Sequence, residues 1–227
     1  MKISWWAGHR WRCWALVLSV AALRAGGADS ASPALDDYVK KLEASYRNVK
    51  TLRAEFTQTH KWGNRTRIES GTVYFGRGGL MRWDYRDPSP KLFLATGKDL
   101  ILYVPAENQV TRSKVKASED VRVPFRLLLS RLNLRRVFSR IEFADGAMEV
   151  QPGGRALRAF PKNAEEVGYL EVLMEITPAF DIRHLVITYA DRSRMEFLFD
   201  EILHNVALNP SFFHFTPPPG AQIIDQK

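Results

Sequence analysis

From Leu52 onward, apolar residues recur at every second position in one short run after another, and each run is closed by Gly, Asn, Asp or Pro. Leu52, Ala54 and Phe56 alternate with Arg53, Glu55 and Thr57, which is the pattern of a half-buried strand. Gly63-Asn64 turns the chain into a second run over 68–75, and Gly76-Arg77-Gly78-Gly79 turns it into a third over 80–85. Runs at 91–95, 100–104 and 109–111 continue the series through Thr96-Gly97-Lys98-Asp99 and Pro105-Ala106-Glu107-Asn108. Strands joined by turns this short pair antiparallel, because a parallel pair needs a crossover connection. Further runs at 141–143, 148–150, 156–160, 169–176, 182–189 and 194–199 bring the expected total to about ten or eleven strands. The chain is therefore expected to be mainly β, a sandwich or barrel.

Two segments break the period. Leu35, Tyr38, Val39, Leu42, Tyr46 and Val49 have the three-and-four spacing of a helix with one apolar face. Pro124-Phe125-Arg126-Leu127-Leu128-Leu129-Ser130-Arg131-Leu132, continued over 134–138, predicts a second helix with Pro in its first turn. Residues 1–28 have a different character: Lys2, Arg10 and Arg12, an apolar run from Trp14 to Leu23, then Ala25-Gly26-Gly27-Ala28. This is the layout of a cleaved export signal, and the apolar run is only about half the length of a spanning helix. The expected organisation is a signal peptide over 1–28 and one domain over 29–227. Lys2, Arg10, Arg12 and Arg24 leave with the signal and no acid does, so the formal charge falls from +8 to +4. That balance gives no warrant for nucleic-acid binding. The only Cys, Cys13, leaves too, which excludes a disulfide framework and Cys-based metal ligation.

The strand runs place Phe56, Val73, Phe75, Met81, Trp83, Leu92, Leu94, Ile101 and Tyr103 on an apolar face that few helices are available to cover. Periodicity is equally compatible with a packed core and with the wall of a cavity. Catalytic parts are missing from the sequence: His60, His184, His204 and His214 are scattered, and no G-x-S-x-G or phosphate-cradling loop occurs. Neither an enzymatic role, nor a cofactor, nor a metal site is expected.

The ordered string Ala54-Glu55-Phe56-Thr57-Gln58, then the run from Gly71 to Tyr85, then Pro88, resembles the outer-membrane lipoprotein carrier protein family. Gly97, Leu100, Tyr103, Pro105, Gln109 and Val110 are similar to that family's next motif, Pro124-Phe125 to its lid helix, and Phe213-His214-Phe215-Thr216-Pro217-Pro218-Pro219-Gly220 to its terminal one. The resemblance covers nearly the whole chain after the signal. It implies an incompletely closed antiparallel β-barrel whose concave apolar face is covered by a lid of short α-helices. It also turns the ambiguous apolar face into an acyl-chain cavity, with Phe125, Leu128 and Leu129 joining it from the lid. Arg77 matches the family's latch, an Arg that hydrogen-bonds lid and loop carbonyls, although Gly78 stands where a Pro commonly follows. Met81 matches an exposed apolar residue near the cavity mouth that helps engage the donor complex.

The function so implied is that of a monomeric periplasmic carrier moving lipoproteins from the inner to the outer membrane. Its partners would be lipoprotein acyl chains, an inner-membrane lipoprotein-releasing ABC transporter as donor and an outer-membrane receptor lipoprotein as acceptor. Arg131, Arg135, Arg136 and Arg140 offer a basic face for docking to anionic headgroups or an acidic partner. Two alternatives stay open: a carrier of a non-protein lipid or a lipoprotein-sensing regulator on the same fold, and a lipid-hydrolysing enzyme, which would need titratable groups inside the barrel.

Overall fold

Pro33 opens the first helix, α1 (Pro33–Arg47), where its missing N–H costs nothing. Asp36 in the first turn and Arg47 in the last complement the helix dipole. Leu35, Val39, Leu42 and Tyr46 form its buried stripe, followed by Val49. The computed structural model describes residues 33–114 and 132–226. Residues 1–28 and the part of the second expected helix from Pro124 to Arg131 lie outside the described residues; of the rest, Leu132 and Asn133 are not helical and the continuation is helical over Leu134–Val137.

After α1 the chain enters the meander that the alternation predicts: β1 (Thr51–Trp62), β2 (Arg65–Gly76), β3 (Leu80–Asp87), β4 (Lys91–Thr96), β5 (Asp99–Val104) and β6 (Gln109–Lys114). A short α2 (Leu134–Val137) precedes β7 (Phe138–Phe143) and β8 (Arg155–Pro161). One turn, α3 (Ala164–Val167), leads to β9 (Tyr169–Ile176), β10 (Ile182–Tyr189), β11 (Arg194–His204) and the terminal β12 (Gln222–Asp225). The strands form one twelve-stranded sheet in the order β12-β6-β5-β4-β3-β2-β1-β11-β10-β9-β8-β7. β1 is the seam, pairing β2 on one side and β11 on the other, so that two meanders share one sheet. The terminal strands β12 and β7 are not paired with each other, and the sheet is not closed. All pairings are antiparallel except that of β12 with β6.

Two expectations fail locally. Residues 148–150 are loop rather than strand, and β12 is a strand that the alternation did not announce. Among the described residues no helix is long and apolar enough to cross a membrane.

The sheet divides into two environments. One face, here called inner, shares a single buried core with α1; Phe56, Val73, Phe75, Trp83, Leu157, Met174, Leu185 and Phe197 all belong to it. On the other face the C-terminal segment crosses β2–β5. Phe212 packs edge-on against Tyr74 at 4.7 Å, and Phe215 lies 5.2 Å from Tyr103. Arg82 donates to the Phe212 carbonyl at 3.0 Å and stacks over its ring at 4.5 Å.

Candidate functional site

Trp83 lies at the centre of an aromatic wall on the inner face. Phe56 packs edge-on to it at 4.8 Å and Phe75 at 5.9 Å, while Phe197 and Phe199 approach from β11 at 5.5 and 6.2 Å. The register explains the gathering: Val73 faces Trp83, Phe75 faces Met81, and Phe56 faces Phe199, and residues directly opposite in an antiparallel pair project from the same face. Phe56, Val73, Phe75, Met81 and Trp83 are thus brought together as the sequence suggested. All are buried, and Met81 is fully so, which corrects the expectation that it stands exposed at a mouth.

Leu92, Leu94, Ile101 and Tyr103 are not part of this wall. Trp83 pairs with Phe93, so Phe93 shares the inner face, and its neighbours Leu92 and Leu94 project to the other side. Leu92 pairs with Tyr103 and Leu94 with Ile101, which places these two on the outer face as well. Phe93, Ala95 and Leu100 occupy the inner positions instead. Phe125, Leu128 and Leu129 lie outside the described residues.

Arg77 sits in the β2–β3 turn and reaches the end of α1. Its Nε donates to the Val49 carbonyl at 3.2 Å and its Nη2 to the Arg47 carbonyl at 2.9 Å. The last carbonyls of a helix have no partner within it, and the fixed fork of a guanidinium can take two acceptors at once. Gly78 follows with φ at +79°, a conformation closed to the Pro that commonly stands there in the family this sequence resembles. The turn presenting Arg77 is therefore built differently, yet the guanidinium still reaches two carbonyls.

Several other contacts fasten α1. The Tyr46 hydroxyl accepts from the Ile182 amide at 2.9 Å, and burial pushes that hydroxyl's pKa far up, so it stays neutral. The Glu43 carboxylate accepts from the Leu134 amide at 2.8 Å, and Ser45 donates to the Phe180 carbonyl at 3.2 Å. Tyr38 packs between Phe143 and Phe180, with centroids 5.4 and 5.2 Å away. Arg135 is ion-paired with Asp36 of α1. Arg140 pairs with Glu142 at 3.0 Å and lies 3.8 Å over the Phe160 ring. Two of the four arginines expected to form a docking face are thus engaged within the fold, and Arg131 lies outside the described residues.

At the far end of β1 the wall changes character. Tyr85, whose ring lies 4.9 Å from Phe56, donates its hydroxyl to Gln58 Oε1 at 2.7 Å. Gln58 Nε2 donates to Glu69 Oε2 at 3.3 Å, and Glu69 Oε1 takes Lys91 at 2.6 Å and Arg67 at 2.8 Å. One signal of this cluster is present in the sequence, a Gln at the inward position that follows Ala54 and Phe56. On the outer face a polar cleft of about 450 Å³ opens between Asp99, Ile101, Arg112, Lys114 and Asp225, with Lys114 and Asp99 paired at 2.5 Å. Among the described residues no three His, Cys, Asp or Glu side chains are grouped to hold a metal ion.

Comparison with known proteins gives a consistent result. The family model for outer membrane lipoprotein carrier protein LolA matches residues 47–216. An outer-membrane lipoprotein carrier protein from Nitrosomonas europaea is 30% identical over 211 residues, spanning 92% of this chain and 96% of that one. One from Dechloromonas aromatica is 28% identical over 216 residues, 94% of each chain. Among solved structures, an uncharacterized conserved protein from Thermus thermophilus aligns with a TM-score of 0.54 at 12% identity, over 84% of this chain and 99% of that one. The last is a likeness of fold alone.

Proposed function

The chain belongs to the outer membrane lipoprotein carrier protein family, and from that premise we propose that it is an exported periplasmic carrier that shields lipoprotein acyl chains on its inner face between the two membranes. The observation that supports this most is the aromatic wall around Trp83, set on a sheet that does not close and faced by a helix held largely by side-chain contacts. Each methylene exposed to water costs about 0.8 kcal/mol, so one chain of about 16 carbons costs on the order of 12 kcal/mol to carry uncovered. A wall of aromatic and aliphatic side chains replaces the bilayer during transit.

Such a carrier has to hide the same wall when empty, and α1, which shares its buried core, is suited to that. Arg77 would hold the empty state by its two bonds to the end of α1, and cargo would favour the form in which α1 has moved. Donation from an inner-membrane lipoprotein-releasing ABC transporter and delivery to an outer-membrane receptor complete the reading, with residues 1–28 removed on export. The role is carriage and not catalysis.

Native mass spectrometry of the chain from Asp29, mixed with a synthetic triacylated lipopeptide, tests the proposal. A one-to-one complex is expected. Retention of a free lipid in place of the lipopeptide would move the cargo to the non-protein class, and capture of neither would leave the wall as ordinary core.

A further inference from the structure

The polar cluster at the end of the inner face has no part in covering hydrocarbon, yet it is continuous with the wall that would. Along the inner side of β1 the residues run Ala54, Phe56, Gln58, and the partners of Gln58 across the two seams are Phe197 and Glu69. Gln58 is 8% exposed and Glu69 6%. Burying an amide and a carboxylate costs several kcal/mol unless each is bonded, whereas Leu or Phe would extend the wall at no such cost. The polarity also rises stepwise: Trp83 is ringed by Phe56, Phe75, Phe197 and Phe199, next Tyr85 and Gln58 carry neutral polar groups, and then Glu69, Lys91 and Arg67 carry charge. Arg67, at 57% side-chain exposure, reaches solvent. This sequence of environments is that of an amphiphile read from its tail to its head.

We propose that this step is a head-group site, in which Gln58, with Arg67 beyond it, receives the ester and amide carbonyls that join acyl chains to the head of the cargo. The site deepens the carriage reading and rests on it. The cluster has more donors than it consumes. Glu69 is balanced by Lys91 and Arg67, a primary amide has two N–H groups of which one is spent on Glu69, and the guanidinium of Arg67 has five donors against one described ion pair. A donor surplus at the end of an apolar wall selects acceptor oxygens. Tyr85 positions the amide by holding Oε1, which turns Nε2 toward Glu69. The chains would then extend from this end of the sheet towards the end covered by α1, where Arg77 and Tyr46 are fastened.

The test compares two probes on the same protein: a synthetic diacylglyceryl lipopeptide, which carries the carbonyls, and N-phenyl-1-naphthylamine, an apolar fluorophore without them. Gln58→Leu is expected to weaken lipopeptide binding about fivefold to 30-fold, the loss of one or two hydrogen bonds at about 1 kcal/mol each, while the fluorophore binds as in the wild type. Tyr85→Phe, which removes one hydroxyl and no bulk, is expected to shift the same ratio in the same direction by a smaller factor, and serves if Gln58→Leu does not fold. Equal weakening of both probes in the two variants, or weakening of neither, would overturn the head-group site and leave carriage standing. Wild-type protein that takes up neither probe would overturn carriage and the site with it.

Discussion

Replacing Arg77 by Leu removes both bonds that tie the β2–β3 turn to the end of α1 and leaves every other tether in place. Hydrogen bonds with a charged donor contribute about 1.5–3 kcal/mol when sheltered. The Arg77 side chain is exposed, so about 1 kcal/mol each is the appropriate scale, or about 2 kcal/mol for the bonds to Arg47 and Val49 together. At about 1.4 kcal/mol per decade, local opening of the last turn of α1 becomes roughly 30-fold more frequent. Hydrogen exchange of the empty protein reads this directly: amides at the end of α1, including that of Val49, which is bonded to the Tyr46 carbonyl at 3.2 Å, should exchange about 30-fold faster. Amides of β1 and β2 should keep their protection. Arg77→Lys retains a charge that can reach one carbonyl but not two, and should give an intermediate acceleration of roughly fivefold. Unchanged exchange at α1 would refute the latch, as would acceleration spread evenly over the sheet.

Two further outcomes are expected. At Gly71 an added Cβ would stand 2.0 Å from the Asp84 carbonyl oxygen and 2.9 Å from the Tyr85 Cα, both backbone atoms of the neighbouring strand. Gly71→Ala should therefore cost about 3 kcal/mol and lower the melting temperature by roughly 10 °C, and a melt within about 2 °C of wild type would show that β2 and β3 can part more easily than this. His184, on the outer face, has its pKa lowered by burial, against Glu196 and Glu175, which raise it, with Arg183 and Lys61 lowering it further. Its folded-state pKa lies below the ordinary value of 6.5, so the unfolded chain binds the proton first and stability falls as pH drops through that value. Denaturant midpoints at about pH 7.5 and about pH 5.5 should differ less in His184→Gln than in wild type; an equal difference would assign the acid sensitivity to other groups.

The elements with a single buried face were legible in the sequence. α1 and β1 follow the spacing of their apolar residues closely, because each presents one side to the core and the other to water or ion pairs. The twelfth strand was not legible, because Gln222–Asp225 is four residues long and pairs in parallel with β6, an arrangement that depends on the chain crossing the outer face first. Residues 148–150 alternate for too few positions to distinguish a strand from a loop, and Gly146, with φ at +87°, turns the chain there. Of the Gln58 cluster only the inward Gln was legible, because its members lie on four different strands and only the register places Gln58, Glu69, Tyr85 and Lys91 side by side.

The misplacement of Leu92, Leu94, Ile101 and Tyr103 shows where pattern reading stops. In a strand with one wet face, alternation states which residues point inward; in β4, Leu92, Phe93, Leu94 and Ala95 are all buried, and alternation states nothing. A slip of one residue exchanges the faces, and only the pairing of Trp83 with Phe93 decides between them. A strand apolar on both sides also requires a second cover, which no helix between β1 and β6 supplies. The terminal motif supplies it: the Phe213 ring lies where a Cβ on Gly76 would meet it at 3.2 Å, Phe215 lies against Tyr103, and β12 then seals the edge at β6. The residues by which this chain resembles its family therefore divide by role. Phe56, Phe75 and Trp83 form the inner wall, Tyr103, Phe213 and Phe215 hold the outer cover, and a one-residue change of register between β3 and β4 would turn Phe93 and Ala95 outward and Leu92, Leu94 and Tyr103 inward, taking from the cover the ring on which Phe215 packs.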